Sequence, residues 1–414
     1  MVLLCGLVVP KLAAQSTSPE EQAGSLRGTV VNSVTHEPIG HALVVSSDNR
    51  FATMTDDQGH FEFVLPRPDS RQPEVLQPGA LQYGRGLDEP SSGSSANRPS
   101  QLTARRQGFL NDDEHGQSNV LVTAEQKEVT LSLTPEALVV GQIVLPDESD
   151  RIVVELYRSE IQEGRARWIS VGTTVAKSDG EFRFASLKTG KYKLLTQESL
   201  DRDPLTFDPR GQLYGYPPVY FPAAKDFTSA ATFEVSAGST FQASLTPVRQ
   251  AYYRVRIPVA NMSPGAGMRI IVSSQGRPGP GFNLGYNMQE QRIEGMLPDG
   301  VYGIEVMCYG SPVLSGAMNI TVKGAALQAP SMNLVPGGSI AVNVKEEFTT
   351  TTKTGNTTWN SNGRSFHVKG PRSYLNVTLW PADDFGLENM AAPGPPSGPD
   401  DDSILIPDVQ TGHY

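Results

Sequence analysis

The sequence predicts an all-β chain of tandem antiparallel sandwiches, and three observations carry that prediction. Short alternating apolar runs are separated by turn residues, with 40 Gly and 32 Pro among 414 residues, a punctuation that suits strands rather than helices. One stretch, Lys177 to Tyr192, has parts that return elsewhere at matched spacing. Alternating strands also stop repeatedly at a proline, at Pro135, Pro247 and Pro336. A chain this long is expected to hold several domains of roughly 100–150 residues each.

The repeated stretch explains itself locally. Asp179-Gly180 is a turn signal: the carboxylate can accept a backbone N–H two residues on, and Gly takes a positive φ without steric cost. A metal-ligand role for Asp179 is the weaker reading. The strand after it places Phe182 and Phe184 on one face and Glu181 and Arg183 on the other. Leu187, Gly190 and Tyr192 then mark a second tight turn and a strand whose Tyr buries its ring and needs a partner for its hydroxyl.

In chain order, residues 1–23 read as a shortened secretory signal. Val2 to Val9 is apolar and short, Leu12-Ala13-Ala14-Gln15 offers a small-residue cleavage site, and Ser16 to Gln22 turns polar. With that segment removed Cys308 is the sole cysteine, which leaves no intrachain disulfide. No later apolar run approaches the length of a membrane helix. Residues 25–65 read as the first half of a sandwich, with strands beginning at Leu26, Ala42 and Phe51. The turn Asp56-Asp57-Gln58-Gly59 leads into His60-Phe61-Glu62-Phe63, a copy of the Asp179–Phe184 motif with one inserted residue.

Together, Gly28-Thr29-Val30, Pro38-Ile39-Gly40-His41-Ala42-Leu43-Val44 and Asp57-Gln58-Gly59-His60-Phe61-Glu62-Phe63 resemble the carboxypeptidase regulatory-like domain family. The resemblance implies small prealbumin-like or immunoglobulin-like sandwiches, grouped with carbohydrate-binding-like folds, and similar repeats occur in exported acidobacterial proteins. Pro66 to Ser100 interrupts the pattern with a Pro-, Gly- and Ser-rich insertion that reads as a solvated loop. Leu102 to Phe109 resumes it.

Strand ends fix the domain boundaries. Thr123 to Pro135 matches Val235 to Pro247, and Met332 to Pro336 is a third closing strand; proline ends ladder pairing. The expected division is residues 24–134, 135–247, 248–335 and 336–414. The turn-and-Tyr element Leu187–Tyr192 matches Leu297–Tyr302 and Val409–Tyr414, so the last sandwich is expected to be incomplete. Thr349 to Asn362 and Pro393 to Asp402 read as mobile loops.

The candidate ligand-binding residues are Tyr214, Tyr216, Tyr220 and Phe221. They lie in a Pro-stiffened aromatic loop that offers flat rings to a sugar or, alternatively, plugs the open end of a sandwich core. No catalytic or metal-binding set is found, and no cofactor is implied. His36-Glu37 with His41 misses the zinc-protease helix by one residue of spacing, and Pro38 and Gly40 oppose a helix there. No Gly-x-Ser-x-Gly elbow or phosphate loop occurs. The formal net charge of −10 argues against nucleic acid, which is bound through Lys/Arg patches. The expected function is thus that of a non-enzymatic, exported structural and binding protein, periplasmic, outer-membrane-associated or extracellular, without a transmembrane helix. Its expected partners are a glycan or a cell-surface protein, with carbohydrate as the ligand the resemblance implies. The alternatives are a fragment of a TonB-dependent transport or adhesion protein, and a hydrolase with a loop-built site.

Overall fold

The computed structural model describes residues 25–65, 99, 101–110, 119–144, 151–262, 265–342, 356–369, 379, 382, 384–385 and 404–410, with gaps at 124, 163, 203–210 and 362–363. The signal segment, nearly all of the 66–100 insertion, the 393–402 loop and Tyr414 lie outside the described residues. Every regular element among those described is a strand, and the chain divides into two compact units, residues 1–136 and 137–414.

The first unit is a two-sheet sandwich. Its lead strand, Ser25–Asn32, lies between His60–Val64 and Glu128–Leu133. The facing sheet runs Ala52–Met54, Leu43–Ser46, Gln101–Arg105, Asn119–Leu121. Alternation sends Leu26, Val30, Val44, Phe61, Phe63 and Leu131 into one core.

The second unit repeats that plan twice. Lead strand Ala137–Ile143 lies between Glu181–Leu187 and Thr240–Leu245, against a sheet ordered Arg165–Val175, Val153–Gln162, Gly190–Thr196, Phe233–Val235. Lead strand Gln250–Ala260 pairs with Arg292–Pro298 and with Leu327–Gln328 and Met332–Asn333, against Gly267–Ser274, Gly300–Tyr309, Leu314–Val322 and Val335–Pro336. Beyond these, Gly338–Val342 pairs with Ile404–Val409, and Asn356–Ser361 with Arg364–Lys369.

The sheets are not wholly antiparallel. In all three sandwiches the lead strand pairs antiparallel with one neighbour, which in the first two is the strand after the Asp/Gly turn, and parallel with the closing strand. The closing strand reaches the lead strand only after the chain has crossed to the facing sheet and back, so it returns in the same direction. Asn356–Ser361, expected within a mobile loop, is a strand. Thr357, Thr358 and Trp359 are residue types that favour strands, and Asn362-Gly363 between the paired runs is a hairpin signal.

The turns agree without the inserted residue that sequence comparison suggested. In one, the Gly180 N–H donates to Lys177 O (2.9 Å) and Lys177 N–H to Glu181 O (2.8 Å); in the other, Gly59 N–H donates to Asp56 O (3.0 Å) and Asp56 N–H to His60 O (2.9 Å). Lys177 therefore corresponds to Asp56, and only the anchoring carboxylate has moved. Asp179 accepts the Glu181 N–H (2.9 Å), whereas Asp56 accepts those of Gln58 (2.9 Å) and His60 (2.8 Å). Both glycines have positive φ, 75° and 84°.

A second shared device lies under the Phe that follows each turn. Gly28 pairs with Phe61 and Val129, and Gly141 with Phe182 and Ala243. A Cβ on Gly141 would lie 2.3 Å from Ala243 O and 2.4 Å from the Phe182 ring; one on Gly28 would lie 2.4 Å from both Val129 O and the Phe61 ring. Gly141→Ala is expected to destabilise the second unit by about 1–3 kcal/mol through overpacking. The check is a lower urea midpoint at unchanged slope.

Candidate functional site

The aromatic residues singled out in the sequence belong to a long excursion that leaves the second sandwich after Thr196 and returns at Phe233. Its first part forms a small hairpin, Ser199–Leu200 with Leu213–Tyr216, and the second strand of that hairpin pairs with Gln250–Ala260. Leu213 lies opposite Tyr252, Tyr214 opposite Ala251 and Gly215 opposite Gln250. An excursion of the second sandwich thus becomes an edge of the third sandwich's sheet.

Its later part turns back. Thr196 N–H donates to Val219 O (3.0 Å) and Phe221 N–H to Leu194 O (2.9 Å), which continues the second sandwich's own sheet. Phe221 packs edge-on against Phe233 and Phe241, each at 5.8 Å between ring centroids, and Tyr216 lies in the same core. Tyr220 donates its hydroxyl to Pro280 O (2.7 Å) in the third sandwich. Asp226 accepts the Ser229 N–H (2.8 Å) and faces Arg277 (3.6 Å), and Gln212 donates to Tyr252 O (2.7 Å). One segment therefore holds both sandwiches.

The four named residues do not share one surface. Tyr216 and Tyr220 are 2% and 3% exposed, Phe221 is half-buried, and Tyr214 is 39% exposed. Stacking on a sugar needs an open ring face, and Tyr216 and Tyr220 have theirs covered by protein. Tyr214 carries the Arg249 guanidinium 4.9 Å from its ring centroid, a cation–π contact.

Sequence reading missed the polar groups gathered beside this segment. Glu198, just before the hairpin, is mostly enclosed, and burial pushes its carboxyl up to about 8. The Tyr252 hydroxyl and the Asn283 amide partly offset this without giving Oε1 a hydrogen bond of good geometry. Burial likewise raises Tyr220, Tyr252 and Tyr302, and the Glu198 charge adds to each shift. Lys193 is 6% exposed and donates to Phe227 O (2.8 Å) and Thr228 O (3.1 Å). The sequence signal for Lys193 was Tyr192-Lys193-Leu194-Leu195, where an almost unbroken apolar run implies cover on both faces of the strand.

In the first unit a polar cleft of about 490 Å³ is lined by Arg27, Thr29, His60, Glu62 and Thr130 among others. Within it Arg27 meets Glu62 at 3.0 Å and His60 meets Asp56 at 3.5 Å. Among the described residues no three His, Cys, Asp or Glu side chains gather as a metal site, and no helix is long and apolar enough to cross a membrane.

No protein-family profile matches the chain, and no curated protein is a significant match. Among solved structures, the Bacillus anthracis TIE protein is 14% identical, with 76% of this chain and 50% of that one covered and a TM-score of 0.19. The Streptococcal ancillary pilin is 12% identical over 76% and 99%, TM-score 0.22. The minor pilin of Streptococcus agalactiae is 10% identical over 51% and 99%, TM-score 0.19. The chain spans half the length of the Bacillus anthracis protein, and scores this low carry no argument about the present chain.

Proposed function

We propose that this chain is an exported, non-enzymatic structural protein whose tandem sandwiches display a surface, with residues 137–336 working as one stiff block. The observation that supports this reading is the 197–232 excursion, which adds a strand to the third sandwich's sheet while closing the second sandwich's core. Backbone ladders between neighbouring sandwiches resist bending and pulling better than a flexible linker does. The Gly28–Phe61 and Gly141–Phe182 contacts and the shared turns support grouping the first two sandwiches with carboxypeptidase regulatory-like domains. Export is supported by the apolar run Val2–Val9 and the small residues that follow it.

On this reading the aromatic segment serves cohesion rather than glycan capture. Force spectroscopy on the full chain, pulled from its ends, tests it. Residues 137–336 are expected to extend in a single step, and two separate steps of half that length contradict the proposal. A glycan panel adds a second check: saturable sugar binding that Tyr214→Ala abolishes in a still-folded chain would return the segment to a binding role.

A further inference from the structure

The outer face of the second sandwich carries an aromatic socket with a buried cation. Tyr157 and Lys193 lie directly opposite each other on paired strands, so their side chains share a face, and Ser170 is Tyr157's partner on the other side. Trp168, two residues before Ser170, emerges on that same face. Phe227, from the excursion, closes the group at 5.0 Å from Tyr157 and 6.0 Å from Trp168 between centroids. The Lys193 ammonium sits 5.1 Å from the Trp168 centroid and 4.9 Å from that of Phe227.

Into this socket comes a residue far along the chain. Phe385 meets Phe227 edge-on at 4.8 Å and Tyr157 at 5.7 Å, and Asp384 beside it lends its negative charge to Lys193, as does Asp226. We propose that this socket is a recognition site for an acidic–aromatic segment, and that Asp384–Phe385 of the same chain fills it as a latch onto the second sandwich.

Two independent features favour that occupant. An ammonium taken out of water is costly unless opposite charge accompanies it. The two carbonyls holding Lys193 bring dipoles only; of the two carboxylates that lend it charge, Asp226 comes with the excursion and Asp384 arrives with Phe385 when the latch closes. The rings of Tyr157 and Phe227 present edges and faces that a third aromatic completes in the T-shaped geometry such rings prefer. A segment carrying only one of the two groups would satisfy half of the site.

The test uses full-length chains and a fluorescent synthetic peptide of residues 379–389, followed by anisotropy. In the wild-type chain the cis segment, at an effective concentration in the mM range, keeps the peptide out. Phe385→Ala empties the socket, and the peptide is expected to bind that chain at least tenfold more tightly. Adding Lys193→Met to Phe385→Ala, or replacing Phe385 by Ala in the peptide, is expected to abolish the gain. Asp384→Lys opens the latch by a separate route, because it sets a second cation beside Lys193 while leaving the aromatic plug in place. Equal peptide binding by wild type and both latch variants, or undiminished binding of the peptide that lacks Phe, overturns the proposal.

Discussion

Replacing Tyr192 by Ala is expected to destabilise the second unit by about 3–5 kcal/mol, the range for truncating a fully buried aromatic. The ring is 0% exposed, lies in the second sandwich's core and stacks with Phe233 at 6.2 Å. Its hydroxyl donates to Lys188 O at 2.5 Å, across the tight turn that Gly190 opens. Truncation removes the ring and leaves that carbonyl without its donor, whereas Tyr192→Phe removes only the hydrogen bond and is expected to cost about 1 kcal/mol. Tyr302 makes the same contact four residues back, to Pro298 O at 3.0 Å, and is 2% exposed. Tyr302→Ala should therefore match Tyr192→Ala. Urea unfolding of the three variants separates ring from hydroxyl. Equal midpoints for Tyr192→Ala and Tyr192→Phe would show that the ring contributes nothing.

Glu198→Gln is expected to stabilise the chain, and only above mildly acidic pH. The folded carboxyl is raised from 4.5 to about 8, so between those values the folded chain keeps a proton that the unfolded chain has released. Stability then falls as pH rises through that window and is level above it. Ionised Glu198 would face Tyr220, Tyr252 and Tyr302, all neutral there because burial raises them, so no cation answers it from those side chains. Glutamine keeps the shape of the neutral acid and removes the titration. The gain should be near zero at pH 4.5 and reach roughly 3–5 kcal/mol at pH 9, from the size of the displacement in pKa. Denaturant midpoints of both chains across pH 4.5–9 check this, and a gain that stays constant with pH contradicts it.

The fold was readable because its signals are local. The Asp179-Gly180 turn, the alternation of Phe182 with Phe184 and the need of Tyr192 for a hydroxyl partner each depend on residues within a few positions, and each appears as expected. The supposed insertion before Gly59 arose from aligning carboxylates; backbone hydrogen bonds show that Asp56 and Asp179 anchor one turn from different positions. Parallel pairing of lead and closing strands could not be read locally, since Ala137–Ile143 and Thr240–Leu245 are brought together only by the whole sandwich.

The site was legible in composition and not in placement. Tyr214 to Phe221 stood out as aromatic and Pro-stiffened, yet what covers Tyr216 and Tyr220 comes from the second sandwich's core and from Pro280, which no local pattern ties to them. Glu198 carried no motif because its partners Tyr252 and Asn283 come from the third sandwich, and the surroundings of Lys193 are assembled from the excursion and Asp384.

The central claim is that the 197–232 excursion joins two sandwiches into one block, and native-state hydrogen exchange on the full chain tests it most directly. The slowest amides of Ala137–Ile143 and of Gln250–Ala260 are expected to share one opening free energy and one denaturant dependence, since subglobal units reveal themselves as separate sets. Two sets with distinct free energies, with Leu213–Tyr216 exchanging ahead of both, would contradict it.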